Sequence, residues 1–160
     1  AMLDTLMKSG AYRVDYFNLN ARGSASAIGL YVCGSLDAAS GTSVSAKRHL
    51  YAGLLVVEEL LEMHNLVGVY VDVDPAGCAG RLAFRALRED VLHGGFKKVL
   101  VMSPAEMLAD PDLRLEWAEL FNLVPGLEML TYNEESARLE CVDLIDFSPR
   151  SQLVQSMVIW

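Results

Sequence analysis

Hydrophobic positions in this chain fall into short unbroken runs separated by stretches of helical spacing. Ile28 to Cys33 is apolar apart from Gly29, Leu66 to Val71 is apolar apart from Gly68, and Val99 to Met102 repeats the pattern. Short runs without alternation are expected of strands buried on both faces of a parallel sheet. Between the first two runs, Ser45 can cap a helix that continues through Asn65. Leu50, Leu54, Val57, Leu61 and Met63 are its inward candidates, and Glu58, Glu59 and Glu62 lie outside. Arg81 to Leu92 repeats the scheme with Leu82, Phe84, Leu87, Val91 and Leu92, and Gly94-Gly95 ends it. A helix between two buried strands predicts a right-handed parallel crossover.

Past the third run, Ser103-Pro104 opens a turn or helix, Asp110-Pro111-Asp112 interrupts it, and Leu113 to Leu123 reads as a further helix carrying Trp117 and Phe121. Pro125-Gly126 stops that helix, and Leu127 to Tyr132 reads as a fourth parallel strand. Tyr12 to Leu19 alternates and is rich in aromatics, which predicts a strand. Leu139 to Phe147 and Leu153 to Trp160 read as two short strands around Ser148-Pro149-Arg150 that extend or cover the sheet and pair with the Tyr12 strand. The expected architecture is α/β in three layers, a mainly parallel sheet flanked by helices, with an extra antiparallel element from the N- and C-terminal strands. The Gly34 to Ser43 stretch is rich in small residues and reads as a loop at a strand's carboxyl end, where such folds place ligands.

A chain of 160 residues fits one domain over residues 1–160 and can bury roughly two-thirds of its extended surface. The apolar runs are far shorter than the roughly 20 residues that span a bilayer, which predicts a soluble protein with no membrane partner. No basic segment followed by an apolar core marks the first residues, so the cytoplasm is the expected location. The net charge of −8 opposes the counterion release that drives DNA binding. Basic groups that remain as candidates are Lys97-Lys98, Lys47-Arg48 and the row Arg81, Arg85, Arg88, which Glu89 and Asp90 flank. Cys33, Cys78 and Cys141 are widely spaced and read as free thiols, and His49, His64 and His93 lack the spacing of a metal pair. No cofactor is expected.

The order of these segments resembles the serine recombinase (resolvase/invertase) catalytic domain. That family has Y-x-R-x-S on a first strand, which falls here on Tyr31-Val32-Cys33-Gly34-Ser35. Its Y-x-D-x-x-x-S-G segment after the next strand falls on Tyr70-Val71-Asp72 and the turn beyond, followed by a helix, a Gly-bearing turn and a V-L-V strand. The resemblance covers about Ile28 to Tyr132 and implies Ser35 as nucleophile and Arg81 as a phosphate contact. It also implies arginines that are missing: Cys33 holds the first-strand arginine position, and the D-R-L-x-R run falls on Ala105-Glu106-Met107-Leu108-Ala109. Because phosphoryl transfer needs cations around its transition state, a degenerate member without strand cleavage is expected. The long helix and separate DNA-binding domain of active members are not expected here.

Two other chemistries compete. Asp72-Val73-Asp74 places alternate carboxylates on one face of a strand end, where with Asp37 they can hold magnesium for phosphoryl transfer; a D-x-D in a turn is also an ordinary solvated acid pair. Gly77-Cys78-Ala79-Gly80 before a helix can offer amides to a phosphate, but it is neither a Walker loop nor G-x-G-x-x-G, and a tight strand-to-helix connection explains its glycines equally well. Trp160, after Met157-Val158-Ile159, completes a core or meets a partner. Together these readings predict a resolvase-fold binding or regulatory module that is catalytically inactive and assembles as a homodimer or higher oligomer. The alternatives are a DNA strand-exchange recombinase using Ser35, and a metal-dependent phosphoryl-transfer enzyme using Asp72 and Asp74.

Overall fold

Val, Ile, Leu and Tyr dominate the apolar runs, and such side chains pack well on a pleated surface covered from both sides. In the computed structural model, which describes residues 12–34, 44–73 and 81–147, each run forms a strand. The six strands among these residues are β1 (Tyr12–Tyr16), β2 (Ile28–Gly34), β3 (Leu66–Val73), β4 (Lys98–Val101), β5 (Glu128–Asn133) and β6 (Arg138–Cys141). They form one sheet in the order β1-β3-β2-β4-β5-β6. The inner four are parallel, and β1 and β6 run antiparallel to their neighbours β3 and β5 at opposite edges. The four parallel strands, with helices between them, are therefore as the pattern predicts. The terminal strands are not: β1 and β6 each hold a separate edge, with four strands between them. Leu144–Phe147 is a 3-10 turn rather than a strand continuation. The Leu153 to Trp160 segment lies outside the described residues.

Among the described residues four α-helices cover the sheet: α1 (Val44–Val56), α2 (Leu82–Leu92), α3 (Pro104–Leu108) and α4 (Pro111–Leu123). Strand alternation divides the core between the faces. Ile28, Leu30, Val32, Val69, Val71, Val73, Leu100 and Leu130 meet α1, while Tyr31, Val67, Tyr70, Val99, Val101 and Met129 meet α2, α3 and α4. Trp117 of α4 is fully buried with its ring centroid 4.9 Å from Phe84 and 6.2 Å from Tyr31. Edge-to-face contacts of this kind stabilise beyond the area they bury.

In α1 the buried residues are Ala46, Leu50, Gly53 and Val56. The helix then widens into a π-type turn over Val57–Leu61 and closes through a 3-10 turn at Met63–Asn65. That change of pitch rotates the stripe, so Met63, expected inside, is 42% exposed. Leu82 and Leu92, also expected inside, lie exposed at the ends of α2. Among the described residues no helix is long and apolar enough to cross a membrane.

Candidate functional site

Chain order fixes where a ligand crevice belongs. From β2 the chain crosses to β3 on one side, and from β3 it crosses back to β4 on the other side of β2. The carboxyl ends of β2 and β4 thus form the point where strand order reverses, the usual ligand position in open α/β sheets. Two groups of polar side chains lie at this end of the sheet, on opposite faces.

The first group surrounds Asp72, on the face packed by α2 and α4. Asp72 is 3% exposed near the end of β3. Its carboxylate accepts the Ala83 amide at 2.9 Å, the Phe84 amide at 3.0 Å and the Tyr31 hydroxyl at 2.8 Å. The first turn of a helix leaves amides without intrahelical partners, and here a neighbouring strand supplies the acceptor. Burial raises the Asp72 pKa against these donors, which pull it down. Both oxygens are engaged, so Asp72 caps α2 rather than facing an open metal position. Asp74 and Asp37, its proposed co-ligands, lie outside the described residues. No group of three or more potential metal ligands occurs among the described residues.

Arg81 precedes α2 and turns inward, its side chain 14% exposed. One end-nitrogen donates to Asp110 at 2.5 Å and the other to Glu116 at 3.2 Å. Burial disfavours its charge, but Asp110 and Glu116 outweigh that and hold the guanidinium proton more firmly than usual. Its buried Nε has no hydrogen-bond partner among the described residues. This inward turn breaks the expected Arg81, Arg85, Arg88 row, whose other two members stay on the helix surface. Cys33, where the resemblance implies an arginine, is a thiol pushed up to about 12 by burial first, then by Asp72, Glu106 and Asp110. Ser35 follows Gly34 in the chain and lies outside the described residues, as do Gly77, Cys78 and Gly80.

The second group lies on the opposite face. Here α1 is the one helix among the described residues that covers the sheet, and it leaves a crevice of about 590 Å³ beside it. Ser45, Arg48 and His49 line it from α1, Met102 and Ser103 from the end of β4, and Glu134 from the turn after β5. Val44 and Ala52 complete the apolar part of its wall. His49 Nε2 lies 2.9 Å from Ser103 Oγ, joining positions 54 residues apart in the chain. Ser103 has φ 58° and ψ 62°, a left-handed conformation costly for a residue with a Cβ. The chain must leave β4 and enter α3 within two residues, Met102 and Ser103, and Pro104 fixes the first helical position. The bend lifts the serine hydroxyl to the top of the sheet.

Sequence reading missed this pair. Ser103-Pro104 marks the strand end, but nothing local joins it to His49. No family model, curated protein or solved structure matches this chain.

Proposed function

We propose that this chain is a binding or regulatory module built on a resolvase-like scaffold, without DNA-cleaving activity, that takes a small ligand in the crevice between α1 and the end of β4. One observation carries the first half. Arg81, the cation that the resemblance offers to phosphate, is held by Asp110 and Glu116 beside a third carboxylate, Asp72. A transition state that gathers negative charge needs cations free to meet it. This neighbourhood offers carboxylates instead, and a neutral Cys33 thiol where an arginine is implied. The location of the second polar group at the strand-order reversal supports the second half. Self-association through the outer face of α1, where Tyr51 and Leu55 are exposed, belongs to the same reading.

The direct test is incubation of the full chain with supercoiled plasmid, followed by denaturing capture of protein on DNA and sedimentation of the free protein. The expected result is intact plasmid, no adduct and a mass above one chain. A covalent adduct that disappears in Ser35→Ala would establish recombinase chemistry and remove the non-cleaving reading. A mass of one chain at high concentration would remove self-association alone.

A further inference from the structure

The crevice between α1 and the β4 end carries both signs of charge at its rim, and this narrows what it can hold. We infer that it binds a free α-amino acid, with the carboxylate at Arg48 and the ammonium at Glu134. This identification deepens the binding-module reading and rests on it.

Among the described residues no carboxylate lies within ion-pair distance of Arg48. Its planar fork matches a carboxylate in two parallel hydrogen bonds. An inorganic phosphate or a nucleotide would bring its negative charge toward Glu134 as well, and like charges oppose such binding. A simple amine would meet Arg48. A zwitterion satisfies both groups at once. Pockets for small organic ligands span about 300–1,000 Å³, and this one lies within that range at about 590 Å³. Met102, with Val44 and Ala52, offers an apolar wall to an aliphatic ligand side chain, and the thioether adapts to varied shapes.

The His49 and Ser103 pair could suggest hydrolysis instead, since a strained serine between strand and helix is how some hydrolases present a nucleophile. In that arrangement the amide of the following residue helps to hold the oxyanion. Here the following residue is Pro104, which has no N–H. The pair is therefore assigned to binding: the Ser103 hydroxyl and the His49 ring supply polar contacts fixed by their mutual hydrogen bond.

The test titrates full-length protein with free methionine, N-acetylmethionine, methionine methyl ester and inorganic phosphate, read by calorimetry and by NMR shifts of Ser103 and His49. Free methionine is expected to bind saturably, and each blocked form about tenfold or more weaker. Glu134→Gln should bring free and N-acetylated methionine to similar affinity, and Arg48→Gln should do the same for free methionine and its ester. Both positions are on the surface, so both variants should fold. Equal binding of the N-acetyl form, or preference for phosphate, would overturn the zwitterion assignment while leaving a ligand-binding module. No perturbation of Ser103 or His49 by any probe would overturn the site itself, independently of the plasmid result.

Discussion

Burial and nearby carboxylates act in the same direction on Cys33, and together they push its thiol up to about 12. The thiolate is the reactive form, so at mildly alkaline pH near 8 only roughly one Cys33 in ten thousand is ionised. Cys141 lies exposed on the edge strand β6. Brief alkylation of the native protein, mapped by mass spectrometry, should therefore label Cys141 and leave Cys33 nearly unmodified. Denaturant should remove the difference. Prompt labelling of Cys33 in the folded state would mean that its surroundings are more open or more positive than this geometry implies, and would weaken the argument against cleavage. Sequence alone placed Cys33 correctly on a buried strand but could not show its neighbours, because Glu106 and Asp110 approach it from positions more than 70 residues away in the chain.

At the scale of elements, Asp72 shows how one side chain changes meaning once its surroundings are known. In the sequence it is half of an acid pair at a strand end; in the fold it is the acceptor for the start of α2. Tyr31→Phe removes one donor to a buried carboxylate and should cost about 1.5–3 kcal/mol. Asp72→Ala leaves the Tyr31 hydroxyl and two amides without their partner, each worth about 1–3 kcal/mol, so it should cost clearly more than Tyr31→Phe. Urea unfolding measures both, and faster hydrogen exchange at Ala83 and Phe84 should accompany the larger loss. Equal costs would mean that the cap contributes little.

The elements themselves were legible because burial on two faces writes an unbroken apolar run and a crossover helix writes a stripe. Edge strands write weaker signals: with one neighbour each, β1 and β6 show no feature that says which edge they join. The π-type turn at Val57–Leu61 likewise has no sequence marker, and for that reason Met63 after it lies outside rather than inward. The crevice was invisible for a third reason, since His49 and Ser103 meet only when α1 is laid beside β4.

For the whole molecule, the ion cluster of Arg81, Asp110 and Glu116 joins the start of α2 to the start of α4, and it gives acid stability a recognisable form. Burial pulls the Asp110 carboxyl upward, but the Arg81 hydrogen bond, the Asp112 amide and the Arg81 charge outweigh it and leave its pKa below the ordinary value. A carboxylate with a lowered folded pKa stabilises the fold at pH values above its unfolded pKa of about 3.9 and loses that contribution as pH falls through the folded value. Asp72 has the opposite sign. Its folded pKa is raised by burial, so its contribution is greatest below an unfolded pKa of about 3.9 and declines as pH rises through the folded value. The two carboxyls therefore act on opposite sides of that pH.

Asp110→Asn keeps a side-chain oxygen for the Asp112 amide, since Asn caps helices about as well as Asp, and removes the titration. Its stability, measured by urea unfolding across the acid range, should fall less steeply than the parent's below about pH 4. Asp72→Asn should instead change the slope above that pH, flattening the decline that the parent shows as Asp72 ionises. Because both carboxyls act at the start of α2 and both feel the Arg81 charge, their effects on slope should be coupled, so the double variant should depart from the sum of the two. If Asp110→Asn left the acid limb unchanged, Arg81 would not be held by Asp110 in solution, and the cation denied here to phosphate would be available to it after all.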